Sequence, residues 1–232
     1  MKLGIMQPYF MPYIGYWQLL NAVDMYVIYD DVNFIKGGWI NRNRIIVGDQ
    51  IKYFNIPMQG ASPNLLINEI SVNNDCRIIN KNLRVLEGAY KKAPYFNVIM
   101  PLMEAVLTCG EERISDYITY SIRRVCDYLG IHTELILSSS LEKDNTLRGQ
   151  EKVLEICRIL GAKEYYNAIG GQELYSCDTF DTQGITLKFV KTLPYEYKQF
   201  NDNFKPNLSM IDVLMFNSKE QIGEMLEHFV LI

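Results

Sequence analysis

The first thirty positions carry three distinct hydrophobic patterns. Leu3-Gly4-Ile5-Met6 is a short apolar run, Ile14 to Asn21 reads as a helix, and Met25-Tyr26-Val27-Ile28-Tyr29 is continuously apolar or aromatic until Asp30-Asp31. A run that is apolar at every position suits a strand covered on both faces of a parallel sheet. The opening therefore predicts a β-loop-α-β unit. Such a crossover puts both carboxyl-end loops on one edge, where open α/β sheets bind ligands.

The pattern then changes. Ile45-Ile46-Val47 and Ile51 to Ile56, joined by Gly48-Asp49-Gln50, predict a β-hairpin. Leu66 to Val72 predicts a further strand, and helices are expected over about 76–91, 95–108 and 112–129, with Pro101 compatible with a helix's first turn. After the helix stop at Gly130 come a strand at 133–137, a helix at 148–160 closed by Gly161, strands at 164–166 and 185–190, and a last helical region at about 209–230. The expected fold class is α/β: a mostly parallel, Rossmann-like sheet with flanking helices and a β-hairpin insertion. One domain over 1–232 is expected, with residues 76–129 as an optional small helical lobe.

Composition narrows the function classes. A formal charge of -4 gives no broad electropositive surface, so nucleic acid is not an expected partner. No apolar run reaches membrane-spanning length and no signal-peptide pattern opens the chain, which points to the cytoplasm and away from membranes. Five cysteines without a Cys-x-x-Cys pair favour reduced thiols, and with only two histidines a zinc site is not suggested.

Three groups of residues suggest chemistry. Gln7 to Trp17 lies between the first strand and the first helix, where Tyr9, Tyr13 and Tyr16 offer aromatic faces, Gly15 allows close backbone approach, and the helix start offers free N–H groups to an anion. An aromatic plug packing the loop onto the sheet is the structural alternative. Asp30 and Asp31 sit where a strand delivers side chains to the ligand edge, with Asn33 and Lys36 following. They could act as a base, bind Mg²⁺ brought with a nucleotide, or orient hydroxyls, and alternation lets only one aspartate face a pocket. Trp39, Asn41, Arg42 and Arg44 combine an aromatic face, an amide and two guanidiniums suited to a phosphate or carboxylate; a charge-protected edge strand is the alternative. Gly170-Gly171 could wrap a ligand or simply make a tight turn.

The stretches Gly4 to Tyr16, Tyr29-Asp30-Asp31-Val32, Trp39-Ile40-Asn41-Arg42, Gly161-Ala162 with Tyr166 and Gly170, and Phe204 to Leu214 together resemble the WbqC-like family. The resemblance implies a role in bacterial O-antigen or related surface-polysaccharide biosynthesis. The opening alone is also similar, distantly, to nucleotidyltransferases with a His-x-Gly-His motif, with Tyr13-Ile14-Gly15-Tyr16 at the corresponding place. Glycine is kept there, but tyrosines stand where that superfamily has phosphate-stabilising histidines.

The expected function is group transfer to a sugar nucleotide or amino sugar. Catalysis would rest on Asp30, Asp31 or Lys36, and substrate or an activated donor would bind at Gln7, Tyr9, Tyr13, Gly15, Tyr16, Asn33, Trp39, Asn41, Arg42, Arg44, Gly170 and Gly171. The alternatives are a non-catalytic binding or scaffold protein of the same pathway and a degenerate nucleotidyltransferase.

Overall fold

A computed structural model describes all 232 residues. The opening unit forms as its pattern predicts. Strand β1 (Lys2–Met6) leads through α1 (Ile14–Asn21) to β2 (Met25–Ile28), which pairs with β1 in parallel. Gly4 has no side chain because the Tyr26 ring takes its place; a Cβ there would meet Tyr26 Cδ2 at 2.9 Å.

The hairpin also forms. Antiparallel β3 (Arg42–Val47) and β4 (Gln50–Asn55) turn at Gly48, whose φ of 63° lies in the left-handed region that glycine adopts without strain. The strand expected over 66–72 does not. A 3-10 turn occupies Ile67–Glu69, closed by the Leu66 N–H donating to the Glu69 carboxylate at 2.7 Å, and only β6 (Ser71–Val72) is extended, pairing with β5 (Met58–Gln59). Ile67 and Ile70 are both buried, a spacing of three that a turn satisfies and a strand does not.

Helices α2 (Cys76–Tyr90), α3 (Phe96–Leu107) and α4 (Ile114–Leu129) follow. Pro101 lies inside α3 rather than at its start. The carbonyl it leaves without a partner belongs to exposed Asn97, which water can satisfy. Next come β7 (Glu134–Leu137), α5 (Gly149–Ile159), β8 (Glu164–Ala168), a short α6 (Cys177–Thr182) with no clear sequence signal, and β9 (Thr186–Thr192). The expected helix at 209–230 is two helices and a strand: α7 (Met210–Phe216), α8 (Lys219–Glu227) and β10 (Phe229–Leu231). Extended Asn217 ends α7, and the Ser218 and Gln221 side chains form a capping box that starts α8.

The main sheet runs β10-β9-β8-β1-β2-β7, parallel except for antiparallel β10. Side-chain alternation splits its core between two faces. Leu3, Ile5, Val27, Tyr165, Leu187 and Phe189 pack with Val153, Ile156 and Cys157 of α5 and Phe180 of α6. Tyr26, Ile28, Tyr166 and Val190 face the other way, into the larger cluster shared with α1, α2, α3, α4, α7 and α8. From β1 the chain turns toward β2, and from β8 toward β9, so the topology switches between β1 and β8.

Candidate functional site

The loop between β1 and α1 divides its aromatic residues between core and surface. Phe10, Met11, Tyr16 and Trp17 are buried. Tyr16 donates its hydroxyl to the Gln7 carbonyl at 3.2 Å, and its ring lies 5.5 Å from that of Tyr26. Tyr9, Pro12 and Tyr13 instead line a pocket of about 300 Å³ completed by Trp39, Asn43, Arg44 and Asn207. Plug and pocket wall therefore coexist in one loop, because a chain turning over a sheet edge presents opposite sides to core and solvent.

Each wall of the pocket is held from behind. Ser209 donates its hydroxyl to Met11 O at 2.7 Å, and its N–H donates to Arg44 O at 2.9 Å. These bonds tie the 207–209 segment to the first loop and to β3. Met11 (φ 41°) and Asn207 (φ 55°) both hold left-handed backbone at this junction, a conformation that costs a non-glycine residue energy and is sustained by the surrounding bonds. Asn43 donates to Phe10 O at 3.3 Å and accepts the Arg44 N–H at 2.9 Å.

Arg44 is the pocket's one charged side chain. Its Nη2 donates to Asn207 O at 2.8 Å, and its guanidinium stands 5.6 Å from the Trp39 ring centre. Its Nε is buried with no hydrogen-bond partner. A buried N–H without an acceptor is costly, and an anionic ligand would relieve it. Tyr9 and Tyr13 have raised pKa values, mainly from burial, so their hydroxyls stay protonated near neutral pH and act as hydrogen-bonding groups rather than bases.

Arg42 has a different job. It donates from Nε to Gly38 O at 3.0 Å and from Nη2 to Gly37 O, and it stacks 4.3 Å from the Tyr53 ring centre. It closes the 37–38 turn onto the hairpin. Asn41 donates to Ile56 O at 2.9 Å, again a hairpin tie.

The two aspartates stand elsewhere. Asp30 is buried, and its carboxylate accepts the Ser139 N–H at 2.9 Å and hydroxyl at 2.7 Å, joining the end of β2 to the loop after β7. Burial raises its pKa, partly offset by those bonds. The Asp31 Oδ2 atom lies 2.7 Å from Lys143 Nζ and 3.0 Å from Lys152 Nζ. Burial pushes Asp31 up, but the lysines overcome it and its pKa falls below the ordinary value. Asp31 and Asn33 line a separate cleft with Lys152 and Arg148. Lys36 is exposed, and Gly170 and Gly171 lie in the 3-10 turn after β8, beside the topological switch, lining neither cavity. Of the sequence candidates, the structure thus brings together Tyr9, Tyr13, Trp39 and Arg44, and separately Asp31 and Asn33.

Sequence reasoning missed Asn207, Lys143, Arg148 and Lys152. Asn207 comes from 163 residues beyond Arg44, and the two lysines sit in segments whose local pattern reads as loop and amphipathic helix. No helix is long and apolar enough to cross a membrane.

The family model for WbqC-like proteins matches residues 7–224. The uncharacterized protein Rv1507c of Mycobacterium tuberculosis is 27% identical over 220 residues, which is 93% of each chain. No solved structure matches.

Proposed function

The chain belongs to the WbqC-like protein family, and on that premise we propose that it is a group-transfer enzyme of bacterial surface-polysaccharide synthesis that binds a sugar nucleotide or similar anionic donor between the first loop and β3. The observation that carries this reading is the buried, unpartnered Nε of Arg44 in a pocket walled by Tyr9, Tyr13 and Trp39. Aromatic faces suit a planar base or sugar ring, and a guanidinium suits a phosphate or carboxylate. A second groove of about 450 Å³ adjoins the pocket across Asn207, with Ile14, Thr192, Tyr195 and Tyr197 among its walls, and offers room for an acceptor.

The chemistry assigned to the chain is positioning and charge stabilisation. Arg44 meets negative charge on the leaving group, while the Tyr9 and Tyr13 hydroxyls donate hydrogen bonds. An amino-sugar acceptor attacks the donor carbon as the neutral amine: the carbon–nitrogen bond forms as the bond to the phosphate oxygen breaks, and the nucleotide leaves as an anion. The ammonium product gives its proton to water, so the step does not require a carboxylate in the wall. Asp31 is a poor fit for a base at neutral pH, since a lowered pKa makes a carboxylate a weak proton acceptor.

The second reading is a ligand-binding protein of the same pathway without turnover. It is favoured by one observation: the seven pocket-lining residues include no carboxylate and no imidazole. Calorimetry with a panel of nucleotides and sugar nucleotides, followed by a turnover assay with any binder and amino-sugar acceptors, separates the two. Binding lost in Arg44→Ala together with product formation supports the transferase. Binding lost in Arg44→Ala without product from any acceptor supports the binding protein, and no binding by the wild type sinks both.

A further inference from the structure

We propose that the second cleft, at the carboxyl ends of β2 and β7, is a separate binding site for a phosphorylated sugar. The cleft measures about 390 Å³ and shares no lining residue with the Arg44 pocket.

Buried cations gather at its floor and behind it. Lys143 and Lys152, with 1% and 4% of their side chains exposed, both reach the single Oδ2 of Asp31. Lys152 also donates to Asp31 O at 2.9 Å and lies 5.3 Å from the Tyr29 ring centre. Two ammoniums face one carboxylate here, and the neighbouring carboxylate of Asp30 is directed to Ser139. Lys152 shares its carboxylate with Lys143 and lines the cleft, which fixes a cation where an anion can enter.

The rim adds donors of the same kind. Arg148 is exposed at the cleft mouth, and Gly149 beside it begins α5, an eleven-residue helix whose first turn has no side-chain cap. Uncapped N–H groups at a helix start, beside a guanidinium and an ammonium, match the oxygens of a phosphate.

The lining also presents an acceptor. Asn68 Oδ1 is buried and has no hydrogen-bond partner. A deprotonated phosphate oxygen cannot satisfy that carbonyl, whereas a hydroxyl group can. A ligand that answers both the cations and the acceptor carries an anionic group with hydroxyls close by, which is the chemistry of a phosphorylated sugar. Inorganic phosphate has only the first part and a neutral sugar only the second.

Titration calorimetry of the full chain with glucose 1-phosphate, inorganic phosphate, glucose and glucuronate tests this assignment. Glucose 1-phosphate binds more tightly than the other three, and Arg148→Ala weakens it about tenfold. Asn68→Ala weakens it as well while leaving thermal stability unchanged, because the carbonyl it removes has no partner to lose. Arg44→Ala leaves this binding intact, so failure of the nucleotide reading and failure of this one are distinguishable. The proposal is overturned if glucose 1-phosphate does not bind at millimolar concentration, if its affinity is the same in Arg148→Ala and Asn68→Ala as in the wild type, or if phosphate or glucuronate binds as tightly.

Discussion

The Tyr13 ring fills the space that a side chain at position 15 would need. A Cβ on Gly15 would stand 2.5 Å from Tyr13 Cε2 and 2.6 Å from Thr192 Oγ1. Gly15 thus lets the first turn of α1 approach β9 while Tyr13 lies across it and forms a wall of the Arg44 pocket. The glycine acts through packing, since nothing about its backbone conformation demands it.

Gly15→Ala is therefore expected to displace the Tyr13 ring, destabilise the fold by about 1–3 kcal/mol, and weaken nucleotide binding in the pocket. Gly170→Ala is the matched control. A Cβ there meets nothing within 4 Å, so stability should stay within about 0.5 kcal/mol of wild type and binding should not change. Chemical denaturation with calorimetry on both variants checks the contrast.

Arg44 and Arg42 should separate by what they lose. Arg44→Ala removes the guanidinium with the unpartnered Nε, and nucleotide affinity should fall by about tenfold to a hundredfold. Arg42→Ala frees the Gly37 and Gly38 carbonyls and uncovers Tyr53, so it should cost stability with little effect on affinity. Equal loss of affinity in the two variants would remove Arg44 from the site.

The Asp31 cluster gives an acid-side signature. A carboxylate whose folded pKa is lowered contributes stability that is present above its unfolded value, about 3.9, and lost as pH falls through the folded value. Asp31→Asn leaves two buried ammoniums without their counter-ion, so it should destabilise by about 3–5 kcal/mol at neutral pH. The gap between wild type and variant should narrow on acidification below about pH 4. Denaturation midpoints at a series of pH values measure it.

Asp212 should show the opposite sign. It is fully buried in α7, where its carboxylate accepts from Tyr90 at 2.9 Å, Tyr197 at 2.7 Å and Gln199 at 2.9 Å, with no cation among these partners. Burial raises its pKa despite those bonds. A raised folded pKa means stability that is greatest below about 3.9 and declines as pH rises toward the folded value. The advantage of wild type over Asp212→Asn should therefore shrink as pH rises above about 4, and Asp212→Ala should cost about 3 kcal/mol or more by stranding three donors. A gap that widens with pH would contradict the assignment.

How much was legible depended on how local the signal was. The apolar run at Met25–Ile28 and the Gly48 turn each encode their own element, and the structure contains both. Ile67 and Ile70 could not be read as a turn, because apolar residues around Leu66 fit two periods and only burial selects between them. The break at Asn217-Ser218 was not read, because the apolar residues on either side suggested one helical region, although the Ser218-x-x-Gln221 spacing fits the capping box that the structure forms. Of the residues lining the first pocket, Tyr9, Tyr13, Trp39 and Arg44 could be singled out because they fall in two short polar-aromatic stretches close in sequence.

The sequence by itself determined the α/β alternation, the parallel opening unit, the hairpin and the residue types able to hold an anion. These follow from periodicities of 2 and 3.6 and from turn chemistry, which are properties of neighbouring residues. Only the tertiary structure decided that Arg44 rather than Arg42 faces the pocket, that Asn207 closes it, and that Lys143 and Lys152 neutralise Asp31 from 112 and 121 residues away. Charge compensation and cavity shape depend on which distant segments the sheet order brings within a few ångström, and no local pattern in a single chain encodes that distance.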